Sequence, residues 1–221
     1  MTETKNAIQR FTALDSIDIC RAAFITRIPG INVAEDKPEV LRRLDAAHRA
    51  IRDEIGVGDW PLVTAEQVHG NRITVIDAAI AKDAHFEGID GFVTNRRHVA
   101  LGVYVADCCA VYLVDPKTPA IGLVHSGKKG TEAAIATKAI EKMQKFFGTD
   151  PAGLIVQLSP CIRPPHYEID FAAQIREQCQ AAGVKHIHDS GTCTACDLKS
   201  YYSYRMEKGK TGRMLALLGL E

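Results

Sequence analysis

The sequence predicts a mixed α/β fold, a single layered domain in which mixed β-sheets are flanked by helices. Strand-like apolar runs outnumber helical ones. Many neighbouring runs are too close in sequence for helical crossovers, so antiparallel pairs must occur in the sheets. A chain of 221 residues is long enough to bury a sizeable core. We therefore expect one domain over residues 1–221, with residues 1–20 as a candidate flexible extension.

The first half of the chain is predicted to contain one helix and several strands. A strand over 24–28 ends at Pro29-Gly30. Apolar residues recur at helical spacing over 38–55, and Pro38 suits a first helical turn. Val99, Leu101, Val103 and Val105 alternate with a period of two, which places them on one sheet face. The strands predicted after the helix are 61–68, 72–76, 99–105, 110–114 and 120–124.

The second half is predicted to alternate helices and strands. A helix with apolar residues four positions apart (Ile135, Ala139, Met143 and Phe147) ends at Gly148, a natural terminator. A strand over 153–158 follows, and Asp170 suits the N-cap of a helix that runs to Gly183. A strand over 184–188 and a Tyr-rich segment from Tyr201 complete the chain.

Composition excludes several classes of function. Lysine plus arginine balances aspartate plus glutamate at 27 each, so no basic field is available for a nucleic-acid backbone. The most apolar stretch, 99–114, is too short to span a bilayer. The polar N-terminal residues do not have the layout of a signal peptide, and seven cysteines is an odd number for a disulfide framework. We expect reduced thiols and a cytoplasmic location.

Three potential metal ligands stand at the ends of strand-like runs: His69, Cys108 and His125. Rigid strands with variable loops ahead of them are common supports for catalytic residues. One thiolate and two imidazoles are three zinc ligands with a fourth position open, which is the pattern of catalytic zinc. Taken singly, each residue is more often an ordinary core or hydrogen-bonded side chain. Sequence spacing alone does not show that the three converge.

A glycine–lysine turn follows His125 and is a candidate phosphate site. Ser126, Gly127, Lys128 and Lys129 lead from a strand end toward a helix, where backbone N–H groups favour an anion. The spacing is not that of a P-loop. A glycine turn with two solvated lysines explains the same residues equally well.

Neighbouring residues extend the candidate site. Asp107 precedes Cys108 and is a candidate to orient a ligand histidine or to act as an acid–base group. Gln67, two residues before His69, would point the same way on a strand and contact substrate. Cys193-x-x-Cys196, with His186 and His188 nearby, admits a separate structural zinc site, but a loop with ordinary thiols is the favoured interpretation.

Several segments in order resemble the signature blocks of one known family. They are Thr64-Ala65-Glu66-Gln67-Val68-His69-Gly70, Ile89-Asp90-Gly91-Phe92-Val93-Thr94, Val105-Ala106-Asp107-Cys108, residues 122–130, Ser159-Pro160-Cys161-Ile162 and Tyr202-Ser203-Tyr204-Arg205. The family is the laccase-domain purine nucleoside phosphorylases, earlier labelled multicopper polyphenol oxidases, which includes the peptidoglycan editing factor. The resemblance extends from about residue 24 to 214. Lys128 stands where the family usually has tryptophan, and Ser159 where it usually has glycine.

The resemblance implies a laccase-domain fold, similar to that of cytotoxic necrotizing factor, with zinc held by His69, Cys108 and His125. It implies phosphorolysis of adenosine, inosine, guanosine or methylthioadenosine, together with adenosine deamination. Arg27 and Arg205 resemble family positions near the pocket, although each taken singly is more often a salt-bridged surface arginine. The expected partners are a purine nucleoside and phosphate, in a monomer or small homo-oligomer.

Two other functions stay open on the sequence. One is a metal-free hydrolase or amidase acting on a peptidoglycan precursor, with Cys108 as nucleophile and a histidine as base. The other is a non-catalytic module that binds a nucleoside. Copper oxidase chemistry is disfavoured, because a multicopper cluster needs many imidazoles in paired motifs and this chain has eight histidines with one His-x-His.

Overall fold

A computed structural model describes residues 7–221 and builds them around two six-stranded sheets. The strands in chain order are β1 (Ile8–Gln9), β2 (Cys20–Ile25), β3 (Leu62–Ala65), β4 (Ile73–Ile76), β5 (Ala84–Phe86), β6 (Gly91–Thr94), β7 (Ala100–Val105), β8 (Cys109–Asp115), β9 (Ala120–Ser126), β10 (Ile155–Leu158), β11 (His186–Asp189) and β12 (Met214–Leu220). The helices are α1 (Thr12–Asp15), α2 (Lys37–Glu54), α3 (Lys128–Glu132), α4 (Ile135–Phe147) and α5 (Phe171–Ala181).

Both sheets are mixed, as the sequence predicts. The first has the order β1-β2-β12-β7-β3-β5, in which β3 runs parallel to β5 and β7. The second has the order β11-β10-β8-β9-β6-β4, with parallel pairs at both edges and antiparallel pairs between them. The predicted fold class, mixed sheets flanked by helices, is therefore confirmed.

The two sheets pack face to face over the larger core, and the second sheet carries a helical layer on its other face. The buried hydroxyl of Tyr112 on β8 donates to the Ala23 carbonyl of β2 at 2.8 Å, which joins the sheets through the core. A second apolar cluster lies between the second sheet and the helices α4 and α5, and includes Val111, Ile140 and Ile175.

Helix α2 begins where local chemistry predicts. Asp36 is its N-cap, and its carboxylate accepts from the Glu39 amide at 3.0 Å, while Pro38 occupies the first turn. The predicted second helix divides in two, because Ala134 has φ +55° and separates α3 from α4. Gly148, with φ +72°, ends α4 as predicted.

The N-terminal segment differs from its predicted role. Residues 7–20 contain β1 and α1 and bury apolar side chains in the main core, Phe11, Leu14 and Ile17 among them. The expected flexible extension covers residues 1–20, of which residues 1–6 lie outside the described part. Strands β1, β5, β6 and β12 were not predicted; β12 lies between β2 and β7 at the centre of the first sheet. Among residues 7–221, no helix combines the length and apolarity needed to cross a membrane.

One polar side chain of α2 is buried without a partner. His48 is 3% exposed, lies 6.0 Å from the Tyr104 ring, and has no hydrogen-bond partner for either ring nitrogen among the described residues. Burial lowers the pKa of His48 to about 4, against a smaller opposing effect of Asp45. The folded state therefore holds this imidazole neutral.

We expect His48 to make the protein sensitive to mild acid. Its folded pKa lies below the unfolded value of about 6.5, so the unfolded state takes up the proton first and stability falls as pH drops from 6.5 toward 4. Between pH 7.5 and 5 the wild type should lose about 2 kcal/mol more unfolding free energy than His48→Leu. Urea titrations at both pH values measure this. Exposed His186→Leu is the control; equal losses in wild type and His48→Leu would contradict the assignment.

Candidate metal centre and active site

The three predicted ligands converge at one point of the fold. One ligand atom from each of His69, Cys108 and His125 lies within 4.8 Å of the others. The two imidazole rings meet edge to face, with centroids 4.8 Å apart. Among residues 7–221 this is the one group of three or more potential metal-ligating side chains that converges in this way.

Each ligand reaches this point from a different strand end. His125 is on β9 and is 3% exposed. Cys108 immediately precedes β8, in a turn in which Asp107 has φ +82°. His69 lies in the loop after β3 and also has a left-handed backbone, with φ +62°. Residues other than glycine rarely adopt a positive φ. The surrounding contacts must therefore hold these two turns in place.

A buried carboxylate fixes both histidines. Asp90 is fully buried and receives the amide N–H of His69 at 2.8 Å and that of Gly70 at 2.7 Å. His125 Nδ1 lies 2.9 Å from Asp90 Oδ1. Since an ionised carboxylate only accepts, Nδ1 carries a proton, and Nε2 is the nitrogen that would bind a metal once it has lost its own proton. Asp90 thus orients His125, as an outer partner does for a histidine that binds a metal.

The sequence makes Asp107 a candidate to orient a ligand histidine or to act as an acid–base group, and the structure gives its carboxylate other partners than the two histidines. Its carboxylate accepts from the Thr194 hydroxyl at 2.7 Å, the Ser203 hydroxyl at 3.0 Å and the Arg205 amide at 2.7 Å. These bonds tie the Cys108 turn to two distant loops. Asp90 is present in the Ile89-Asp90-Gly91 block, and the available signal was an acidic residue within an otherwise apolar run.

Electrostatics favour an ionised thiol at Cys108. Burial raises the pKa of Cys108, but the charges and hydrogen bonds of His125 and His69 outweigh burial and lower it to about 6. Burial lowers the pKa of His125, yet the Cys108 thiolate and the Asp90 carboxylate raise it overall. Burial likewise opposes ionisation of Asp90, and the hydrogen bonds from His125 and Gly70 lower its pKa overall. The thiolate is the form that binds a metal.

Gly127 is required by close packing against the thiol. A Cβ atom at this position would lie 2.5 Å from Cys108 Sγ, closer than any real contact. Gly127 is also the N-cap of α3, which has five residues and therefore a small dipole. The hydroxyl of Ser126 is buried and shares a 2.8 Å hydrogen bond with Thr131. Neither Ser126 nor Gly127 lines the cavity described below.

A cavity of about 830 Å³ opens over the three ligands. Its wall carries six basic side chains: Lys37, Lys128, Lys129, Arg205, Lys208 and Arg213. The acidic groups on the wall are Asp107 and Glu168, and Glu168 pairs with Arg205 at 2.6 Å. Tyr104, Tyr167, Phe171 and Tyr204 supply aromatic surface. The cavity combines a potential metal centre, excess positive charge and aromatic surface.

The predicted substrate residues divide into two groups. Gln67, Lys128, Lys129 and Arg205 line the cavity. Gln67 does so from a loop with φ +66°, and its amide exchanges hydrogen bonds with the backbone of Tyr104, so strand alternation does not set its direction. Arg27 lies outside the lining; it pairs with Glu207 at 2.7 Å and stacks over Tyr202 at 4.3 Å.

Several lining residues had no sequence-based assignment. Lys37 is the first residue of α2, and Phe171 is the first residue of α5. Tyr167 lies in the segment before α5, and Arg213 lies in the segment before β12. Their sequence neighbourhoods contain no motif that marks a site. His186 and His188 lie on β11 and are both exposed, and they form no three-residue ligand group with the Cys193-x-x-Cys196 pair.

Comparison with known proteins places this chain in a family. A model of the family described as multi-copper polyphenol oxidoreductase laccase matches residues 26–172 and 166–221. The chain belongs to this family. The matched residues include all three potential metal ligands and Asp90.

Named relatives of this laccase family member are purine nucleoside phosphorylases. The protein named purine nucleoside phosphorylase YlmD of Geobacillus stearothermophilus is 29% identical over 86% of this chain and 82% of its own length. A purine nucleoside phosphorylase of Corynebacterium glutamicum is also 29% identical, over 94% of this chain and 98% of its own.

Solved structures of relatives share the whole architecture. The crystal structure of YlmD from Geobacillus stearothermophilus has a TM-score of 0.80 and 25% identity, and the match covers 98% of this chain and 99% of YlmD. A hypothetical protein YfiH of Bacillus licheniformis has a TM-score of 0.82 at 23% identity, with 98% of this chain and 97% of that chain covered.

We predict that Asp90→Asn weakens metal binding. The uncharged side-chain amide of asparagine accepts hydrogen bonds more weakly than the carboxylate does, and one of its two ends is a donor. It cannot hold the two backbone N–H groups and His125 Nδ1 equally well, so both histidines lose their orientation. Zinc affinity, measured by competition with a chromophoric chelator, should fall about 10- to 100-fold. Glu87→Gln, an exposed carboxylate three residues upstream, is the matched control. An unchanged affinity in Asp90→Asn would show that this carboxylate does not position the ligands.

Proposed function

We propose that this protein is a zinc-dependent purine nucleoside phosphorylase that also deaminates adenosine. The observation that carries the proposal is the His69–Cys108–His125 cluster beneath a basic cavity, in a chain whose relatives bear the phosphorylase name. The substrates proposed are adenosine, inosine, guanosine or methylthioadenosine, with inorganic phosphate. The cavity volume of about 830 Å³ lies in the range of small-molecule sites.

The donor set supports zinc as the resident metal. Two imidazole nitrogens and one thiolate, with room for a further ligand, match catalytic zinc sites. Copper stays disfavoured, because the cluster found among residues 7–221 is a single group of three ligands and a multicopper centre needs several. When bound, zinc supplies Lewis acidity toward a substrate atom or a water molecule.

The protein's own residues would position the two substrates. In phosphorolysis a phosphate oxygen forms a bond to the ribose carbon while that carbon's bond to the base breaks. Lys128, Lys129 and Arg205 on the cavity wall are proposed to bind the phosphate through charged hydrogen bonds. Because α3 is so short, its N-terminus contributes very little to the attraction of the phosphate. The charged side chains would supply most of it. Gln67 is proposed to contact the nucleoside, since it lines the cavity beside Tyr104.

Asp107 is proposed to act mainly by positioning. Three donors occupy its carboxylate, so it holds the Cys108 turn and the 203–205 backbone against each other. Ser126 and Gly127 would act indirectly as well, by setting the start of α3 beside Cys108 Sγ. Arg27 would support the loop that contains Tyr202 through its stacking contact.

We also propose a cytoplasmic location. All seven cysteines are free thiols, in keeping with a reducing compartment.

A second candidate function rests on the state of Cys108. A thiol with a lowered pKa beside His125, itself oriented by Asp90, is the arrangement of a nucleophile with its base and orienting group. A metal-free hydrolase or amidase would use the same three residues. An activity that persists in chelator and a covalent adduct at Cys108 would favour it over the phosphorylase.

The phosphorylase proposal predicts phosphate-dependent release of base. Purified zinc-loaded protein incubated with adenosine should give adenine and ribose 1-phosphate only when phosphate is present, and inosine from deamination in either case. Chromatographic separation of the products measures both reactions. No phosphate-dependent release of the free base from adenosine, inosine, guanosine or methylthioadenosine, together with no inosine from adenosine, would refute the proposal.

Removal of the Cys108 thiolate should weaken metal binding and slow turnover. We predict that Cys108→Ala lowers bound zinc below one equivalent and lowers kcat/KM at least about 100-fold, because loss of a ligand costs more than loss of an outer partner. Elemental analysis and the product assay give the two values. Cys196→Ser changes an exposed thiol away from the cavity and serves as control.

The basic wall should determine phosphate affinity. We predict that Lys128→Ala raises the KM for phosphate about tenfold, because a charged hydrogen bond is lost, and leaves the KM for the nucleoside nearly unchanged. Exposed Lys185→Ala is the control. Equal effects on both KM values would mean that Lys128 does not bind phosphate selectively.

A further inference from the structure

Two thiols outside the metal centre are placed as a disulfide pair. Cys193 caps a 3-10 turn formed by Thr194–Cys196, and the Cys196 amide donates to the Cys193 carbonyl at 3.2 Å. A turn closed by such a bond keeps its end Cα atoms within about 7 Å, which overlaps the range of about 4.4–6.8 Å found in disulfides. The Cys193 thiol is also the largest cause of the raised pKa of Cys196, which agrees with the two side chains being near each other.

We propose that Cys193 and Cys196 form a reversible disulfide, and that Thr194 between them transmits its state to the turn that carries Cys108. Cys196 is exposed and Cys193 is partly exposed, so a small oxidant reaches the pair. Cys109 and Cys161 are also neighbours, but both are fully buried. Of these two pairs of thiols, only Cys193 and Cys196 are therefore accessible to an oxidant in solution.

The oxidation is a thiol–disulfide exchange with a low-molecular-weight disulfide. The Cys196 thiolate attacks one sulfur of the small disulfide, which breaks that bond and releases one small thiolate. The Cys193 thiolate then attacks the Cys196 sulfur and releases the second small thiolate. Two protein thiols are oxidised, one disulfide is reduced to two thiols, and the protons pass to the released thiolates through water.

The pH dependence of the first step follows from the nearness of the two thiols. The Cys193 thiol raises the pKa of Cys196, so less thiolate is present at neutral pH than for an isolated cysteine. The rate of oxidation should therefore increase as the pH rises above neutrality.

The residue between the cysteines contacts the active-site turn directly. Thr194 is fully buried, and its hydroxyl donates to Asp107 Oδ1 at 2.7 Å. The other carboxylate oxygen of Asp107 accepts from the Arg205 amide at 2.7 Å. Closing the sulfur–sulfur distance to about 2 Å draws Cys193 and Cys196 together and shifts Thr194. We expect this shift to weaken the hydrogen bonds around Asp107.

Mass spectrometry tests the covalent part of the proposal. The full-length protein is treated with oxidised glutathione, alkylated under denaturing conditions and digested. The expected product is a linked Cys193–Cys196 peptide that dithiothreitol reverses, absent in Cys196→Ser. Recovery of both cysteines as alkylated thiols, or of Cys193 joined to another cysteine, would overturn the proposal.

Amide hydrogen exchange tests the coupling. In the oxidised wild type, the peptide containing 203–208 should exchange about threefold faster than in the reduced protein, because its Arg205 amide donates to Asp107. Thr194→Val keeps both thiols but lacks the hydroxyl, so it should form the disulfide and show little difference between its two states. Cys196→Ser should show none. A wild-type disulfide without any change in this peptide would overturn the coupling.

Both measurements are made without turnover. Their outcome is therefore independent of whether the protein acts on nucleosides.

Discussion

The carboxylate of Asp90 is the contact on which the candidate metal centre depends. It lies just before β6 of the second sheet, and receives two backbone N–H groups from the His69 loop as well as Nδ1 of His125. A buried carboxylate is costly unless donors surround it, and here three donors do so. The same three bonds orient both histidines, so the group that stabilises the loop also fixes the ligands.

The site is assembled from turns in sparsely populated backbone conformations, held by side-chain contacts. Gln67, His69 and Asp107 all have positive φ. Gln67 exchanges two hydrogen bonds with the Tyr104 backbone, and Asp107 accepts from three donors on two other loops. Such strain persists only where neighbours over-determine the conformation. The rigid sheets behind these turns provide that support, which explains why chemistry lies at strand ends in this fold.

Some elements followed directly from local sequence. Asp36 and Pro38 gave the start of α2, Gly148 gave the end of α4, and the alternation of Val99 to Val105 gave β7. Other elements depended on distant partners. Strand β12 is a continuous apolar run, which by itself does not distinguish a strand from a helix. It is a strand because it pairs with β2 and β7, which lie far from it in the sequence. The break at Ala134 has no glycine or proline to mark it. The N-terminal segment is ordered because its apolar side chains enter the main core.

The sequence by itself determined the fold class and the chemical identity of the three potential ligands, because hydrophobic period and side-chain chemistry are local properties. Only the tertiary structure decided that those ligands meet, that Asp90 rather than Asp107 orients His125, and that Arg27 lies outside the cavity lining. These outcomes depend on which strands pair and on how loops from distant parts of the chain pack. The number of residues between two positions does not reveal which strands pair or how the loops pack. Loops of similar length can close in many different arrangements at a similar entropic cost.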